Sequence, residues 1–243
     1  MARDPRAHWQ ELATALEYGR AALRVGLWKS EELLIARYFT SADRLLEVGC
    51  GGGRVALGLL QRGYQDVTAT DFSPAMVEVS RGVLEDARTG WGARVEQQDA
   101  TALTYPDASF DGVIYAFNGL MCLPDAAHRA RALRSIHRVL RPGGLFLGSG
   151  ADREKGALAG HWARQADGGI PGDRWHETST SPVFMHSSTA AETYAELHAA
   201  GFEVLTSPLS TELATESAEV RAFCGETRFY VARKVSGSGG PAL

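Results

Sequence analysis

Apolar and polar positions along this chain follow two periods in turn, and the switches between them divide it into elements. Over residues 8–39, Leu12, Leu16, Leu23 and Leu27 recur at helical spacing, and Leu33, Leu34, Tyr38 and Phe39 continue the series. Residues 41–43 mark a turn. Residues 44–48 form a short apolar run that stops at glycines, as a buried strand does. A helix is predicted over 54–62, with Gly63 as its left-handed stop. The alternation then repeats: strand over 66–70, and helix from Ser73-Pro74 to about residue 88. Strands follow over 93–97 and 110–117, the second strongly apolar. A helix over 125–140 is predicted to stop at Arg141-Pro142-Gly143-Gly144, ahead of a strand at 145–147. Strands alternating with such helices predict a parallel sheet covered on both faces.

The rhythm breaks over 151–187, which is rich in Gly, Pro, His and Trp and reads as a long functional loop. Helix returns over 189–200, and strands over 202–207 and 227–235 close the pattern with no long helix between them. Residues 236–243 are low-complexity and are expected to be disordered. The organisation expected is one domain over 1–235. It comprises a helical cap (1–40), a core (41–150), an insertion (151–187) and a closing helix with strands (188–235).

Composition narrows the function. A hydrophobic fraction of 44% with 22% charged residues is that of an ordinary globular chain, which argues against wholesale disorder. The net charge of −4 and the lack of any Lys/Arg-rich run argue against a nucleic-acid partner. Cys50, Cys122 and Cys224 are far apart, so neither a zinc ribbon nor a disulfide framework is indicated. Reduced thiols and a polar first ten residues fit a cytoplasmic protein without a signal peptide. No apolar stretch is long enough to span a membrane.

The chemistry concentrates at residues 45–54. Gly49, Gly51 and Gly53 stand between a strand and a helix, where they permit a sharp turn and close approach of a ligand to the backbone. A dinucleotide fingerprint started at Gly49 and Gly51 would need its third glycine at Arg54, which disfavours a nicotinamide cofactor. The observed pattern, Glu47-x-Gly49-x-Gly51-x-Gly53, resembles motif I of the class I S-adenosylmethionine (SAM) dependent methyltransferases. Asp71, Gln98-Asp99-Ala100, Phe110-Asp111 and Leu140-Arg141-Pro142-Gly143-Gly144 follow in the order and spacing of that family. The resemblance covers roughly residues 44–147. It implies an α/β, Rossmann-like, doubly wound and mostly parallel seven-stranded sheet with an antiparallel final strand and an N-terminal helical cap. It also implies SAM as cofactor, S-adenosylhomocysteine (SAH) as product, and no metal.

The resemblance then distributes roles. Asp71 ends a strand about 20 residues after the glycine loop, where a carboxylate can accept from both ribose hydroxyls; a helix N-terminal charge ahead of Ser73 is the plainer reading. Phe72 and Met76 are candidates to cover the adenine, with Met76 equally suited to the core. Asp99 would accept from the adenine amino group and the Ala100 amide would meet a ring nitrogen. Glu47, Gly49 and Cys50 would lie beside the methionyl part. Tyr18 and Trp28 resemble the closing cap of small-molecule methyltransferases, although aromatics at helical spacing are more often core.

Asn118 follows the apolar fourth strand, where open α/β sheets place ligands. It is therefore a candidate for both cofactor and acceptor contact, with a turn asparagine before Gly119 as the alternative. His161, His176 and His186 fall in the insertion and are candidate general bases. His176-Glu177 lacks the rest of a zinc-protease motif. The function expected is in-line methyl transfer to a small-molecule acceptor. The alternatives are a nicotinamide-dependent oxidoreductase, a SAM-binding protein without catalysis, and a protein or RNA methyltransferase. Acceptor identity and oligomeric state stay open.

Overall fold

A computed structural model describes residues 3–86, 93–156, 159–162 and 169–235. The expected end of the second core helix and the low-complexity tail lie outside the described residues.

The elements run in the order α1 (Ala7–Gln10), α2 (Leu12–Val25), α3 (Lys29–Tyr38), β1 (Arg44–Val48), α4 (Arg54–Gln61), β2 (Asp66–Asp71), α5 (Pro74–Asp86), β3 (Arg94–Gln97), β4 (Phe110–Tyr115), α6 (Ala126–Val139) and β5 (Leu140–Gly150). They continue with α7 (Ala159–Trp162), β6 (Asp173–His176), β7 (Val183–His186), α8 (Ala190–Ala199), β8 (Phe202–Thr206), α9 (Ser210–Leu213), α10 (Ala218–Cys224) and β9 (Arg228–Lys234).

Seven strands form one sheet in the order β3-β2-β1-β4-β5-β9-β8. β1 pairs in parallel with both β2 and β4, and β9 runs antiparallel to β5 and β8. The pleat sends alternate residues to two cores. Leu45, Ile114, Leu147 and Val231 pack with α3, α4, α5 and α10 on one face. Leu46, Val113, Phe146 and Tyr230 pack with α6 and α8 on the other. β4 is buried on both faces and sits in mid-sheet, as its apolar sequence predicts. The chain order reverses between β1 and β4, so the loops after these strands diverge and open a crevice.

Four local expectations are corrected. The N-terminal helix is broken: α1 ends at Gln10, and α2 stops at Gly26, which has φ +63°. The leucine stripe of α2 is also not its packing face. Leu12, Leu16 and Leu23 are exposed, while Thr14, Ala15, Gly19, Ala21 and Ala22 are buried. Small residues face inward because the helix backbone runs against the glycine loop, where larger side chains have no room.

The Arg141–Gly144 segment is not a spacer between helix and strand. β5 begins at Leu140, opposite Phe110, and the register jumps to Leu145 opposite Gly112. The intervening residues form a bulge in which Pro142 lacks an amide and Gly143 has φ +73°. Beside it, Asp111 accepts from the Arg44 amide (2.9 Å) and from Arg141 Nε (2.6 Å), tying three strand ends together. The region read as an irregular loop, 151–187, contains the antiparallel hairpin β6–β7.

Candidate functional site

The glycine loop turns through three residues with positive φ: Gly49 (+64°), Gly51 (+54°) and Gly53 (+84°). Side chains are strained there and also lack space. A Cβ on Gly49 would stand 2.9 Å from the Tyr115 ring, and one on Gly53 2.7 Å from Ser80 Oγ. Gly119, across the crevice, would meet the same Tyr115 ring at 2.0 Å. The Tyr115 ring is therefore wedged between the loop after β1 and the turn after β4, and glycine on both sides makes room for it.

Asp71 joins this loop to the next strand. Its Oδ2 accepts from the Gly51 amide (3.0 Å) and its Oδ1 from the Ser73 amide (2.9 Å). Both readings of Asp71 from the sequence thus meet in one side chain: it caps the turn into α5 and stands in the wall of the crevice. Burial pushes its carboxyl up to about 6, against the pull of the Ser73 and Gly51 amides. Glu47 lies beneath the loop, 3% exposed, with Oε2 accepting from the Ala56 amide (2.8 Å). Burial pushes its carboxyl up to about 8, opposed by Arg54 and by the Ala56 amide.

The raised pKa of Glu47 has a consequence for stability. Between the ordinary value of 4.5 and about 8 the folded chain keeps a proton that the unfolded chain has lost. Stability contributed by this group therefore falls as pH rises through that window. Glu47→Gln should flatten the decline between about pH 5 and 8 in denaturant melts. Parallel wild-type and mutant curves would show that Glu47 titrates normally.

The crevice holds two neighbouring cavities. The larger, about 110 Å³, is lined by Tyr18, Glu47, Gly49, Cys50, Gly51, Asp71 and Met76 among others. Its far wall is aromatic: Trp9, Tyr115, Phe117 and Phe223. The smaller, about 50 Å³, is lined by Gln98, Asp99, Ala100 and Thr101, with Arg6 and His128 at its edge. Gly49, Phe72, Tyr115, Cys122 and Trp9 border both. Thus Glu47, Gly49, Cys50, Gly51, Asp71, Phe72, Met76, Asp99, Ala100 and Tyr18 all come together around one cleft. Gly53 stands behind it as the left-handed residue that opens α4.

Other expected site residues lie elsewhere. Trp28 is fully buried outside the cavity walls, with the Arg54 guanidinium 4.5 Å above its ring and Phe117 edge-on at 5.4 Å. Arg54 in turn makes a buried pair with Glu31 that ties α4 to α3. Asn118 lines neither cavity, although its neighbours Phe117 and Gly119 line the larger. It adopts the left-handed conformation (φ +69°) and its amide donates to the Ser149 carbonyl (3.0 Å). The geometry gives Asn118 the turn role, since asparagine tolerates that conformation.

The three histidines are also outside the cleft walls. His161 and His176 stack on each other at 5.2 Å beside Trp162. His186 Nδ1 lies 2.6 Å from Asp173 Oδ1, locking the two strands of the hairpin, and the ring lines a separate small cavity. His186 and His176 stand at opposite ends of the β6–β7 pairing, and His161 belongs to α7, so no two of the three are brought to the crevice.

Sequence reasoning missed Arg6, Trp9 and Phe223 as cleft residues. Nothing periodic marks them, because they arrive from the two ends of the chain. It also missed the contact between Gly52 and α2. A Cβ on Gly52 would stand 2.4 Å from Gly19 N and from the Tyr18 carbonyl carbon. Among the described residues no group of His, Cys, Asp and Glu is placed to hold a metal ion, and no helix is long and apolar enough to cross a membrane.

Comparison with known proteins bears on residues 45–144, which match the model of a methyltransferase domain. The 27-O-demethylrifamycin SV methyltransferase of Amycolatopsis mediterranei is 39% identical over 109 residues, 44% of this chain and 39% of that protein. An eEF1A lysine and N-terminal methyltransferase homolog of Drosophila pseudoobscura is 31% identical over 118 residues, 46% of this chain and 17% of that protein. The chain therefore spans less than half the length of these curated relatives. In architecture it resembles the CcbJ methyltransferase from Streptomyces caelestis, with a TM-score of 0.72, 17% identity, and coverage of 96% of this chain and 100% of that one.

Proposed function

We propose, from the premise that residues 45–144 form a methyltransferase domain of the class I SAM-dependent family, that this chain transfers a methyl group from SAM to a small-molecule acceptor. The observation that carries the reading is the bond from the Gly51 amide to Asp71 Oδ2 (3.0 Å). It couples the glycine turn to the carboxylate at the end of β2 and puts both in the wall of one cleft.

The residues fit the cofactor. Asp71 uses one acceptor site on each oxygen for a backbone amide, which leaves lone pairs for a diol. Phe72 and Asp99 border the smaller cavity as an aromatic face and an acceptor for an adenine, with the Ala100 amide adjacent. Gly49 and Gly51 let the methionyl part touch the backbone, and Glu47 lines the same cavity. The cofactor, when bound, supplies an electrophilic methyl on a sulfonium, and transfer is an in-line displacement. The chain supplies alignment and a dry pocket. Trp9, Phe117 and Phe223 line the larger cavity together with Tyr18, which packs against the glycine loop.

That enclosure supports a small, largely apolar acceptor. The turn of the β6–β7 hairpin is held against the N-terminal helices, with Thr14 Oγ1 and Thr180 Oγ1 3.0 Å apart. A protein or RNA acceptor would need an open face. Calorimetric titration with SAM, SAH and NADH is the first test, and SAM and SAH are expected to bind at micromolar level while NADH does not. Methyl-labelled SAM offered with pools of small phenols, quinones and amines, and separately with protein and RNA, is the second. Binding of NADH in preference to SAM would overturn the cofactor. Labelling of protein or RNA alone would overturn the acceptor class.

A further inference from the structure

We propose that Arg6 is a self-ligand of the adenine subsite, held in the position of the purine until the cofactor displaces it. The inference rests on the cofactor reading above and adds a residue outside the matched domain. The Arg6 guanidinium lies 4.2 Å from the centroid of the Phe72 ring, and its Nη2 donates to Asp99 Oδ2 at 2.8 Å. A planar group that stacks on Phe72 and donates N–H to Asp99 does what an adenine and its amino group would do there. The other Asp99 oxygen is engaged as well, by the Thr101 amide (2.9 Å) and hydroxyl (2.8 Å).

Arg6 and a purine cannot both stack on the same face of Phe72. Two stacked contacts at about 3.5–4.0 Å each would put the guanidinium some 7 Å from the Phe72 ring, and the observed separation is 4.2 Å. Arg6 and Asp99 both line the smaller cavity, so the guanidinium occupies space inside the cleft. Trp9, one helical turn from Arg6, borders both cavities and stands edge-on to Tyr18 at 5.8 Å.

The segment is strapped down from outside by the turn between β6 and β7. His8 Nδ1 lies 3.0 Å from Ser181 Oγ, and Arg3 pairs with Glu177 at 3.6 Å. Arg6 and Asp99 each keep about a third of their side-chain surface exposed, 37% and 33%. The contact is therefore weak enough for a ligand to displace and strong enough to register in its affinity.

The test is SAH titration of the wild type and of Arg6→Ala, Arg6→Lys and the distant exposed control Arg37→Ala, each at low and high salt. SAH is used because its net charge is zero, so salt acts mainly on the protein's own ion pair. Arg6→Ala should bind SAH about three- to ten-fold more tightly than wild type. Arg6→Lys, which lacks the planar fork, should fall between. Salt should tighten wild type towards Arg6→Ala and leave that mutant and its advantage at high salt small; Arg37→Ala should match wild type. Equal SAH affinity of wild type and Arg6→Ala overturns the proposal and leaves the cofactor reading intact. Weaker binding by Arg6→Ala makes Arg6 a cofactor ligand and also overturns it. Failure of every variant to bind SAH overturns the cofactor reading, and the proposal with it.

Discussion

Asp71→Ala is expected to weaken SAH binding by about a hundred-fold and to lower the melting temperature as well. Two losses combine. Hydrogen bonds from ribose hydroxyls to a charged acceptor contribute about 1.5–3 kcal/mol, which is roughly ten- to a hundred-fold in affinity. The carboxylate also holds the Gly51 and Ser73 amides. Removing it leaves both amides without their acceptor, at about 1–3 kcal/mol for a buried donor. In a chain of this size each kilocalorie lowers the melting temperature by about 2–4 °C. Asp71→Asn keeps the shape but only one accepting atom, so its losses should be intermediate. Calorimetric affinities and melting curves of the three proteins check this together. Normal SAH affinity in Asp71→Ala would remove Asp71 from the site, whatever the melting curve shows.

Gly52→Ala is the second change with a large expected effect, and it carries no chemistry at all. The added Cβ would lie 2.4 Å from Gly19 N and 2.5 Å from the Tyr18 carbonyl oxygen. Those atoms are backbone, so relief requires α2 to move off the glycine loop. Overpacking of this kind costs about 1–3 kcal/mol, or roughly 2–12 °C in melting temperature. Because Tyr18 leaves the cleft wall with α2, SAH affinity should fall by about ten-fold or more. Gly82→Ala is the control. It lies in α5 with nothing within 4 Å of its Cβ, and helix propensity makes it about 0.5–1 kcal/mol stabilising. A Gly52→Ala chain as stable as wild type would mean that α2 is not seated on the loop.

The order of strands and helices, the mid-sheet place of β4 and the antiparallel final strand were legible in the sequence. So were the glycine loop and the gathering of Asp71, Phe72, Asp99 and Ala100 at one edge of the sheet. The antiparallel final strand and the gathering around Asp71 and Asp99 came from the family resemblance; the rest follows from rules that act over a few residues. Apolar period separates strand from helix, glycine alone accepts the φ of +54° to +84° in the loop, and a loop after a parallel strand opens at the same edge as its neighbours.

The rest was decided by contacts between distant segments. Arg6 reaches Asp99 across 93 positions, and His8 reaches Ser181 across 173. Phe223 stacks on Phe117 at 4.8 Å from a helix the sequence pattern did not show. The leucines of α2 illustrate the cause. Their spacing correctly marks a helix, yet the close approach of Gly52 to Gly19 turns the small residues inward and leaves Leu12, Leu16 and Leu23 outside. Likewise, His186 is held by Asp173 within the β6–β7 hairpin and His161 of α7 stacks on His176, so none of the three lines the cleft. The sheet and the glycine-loop edge are readable from the chain because backbone conformation and amphipathic period are local. What covers that edge is set by the fold, because steric fit between surfaces far apart in the chain leaves no periodic trace in it.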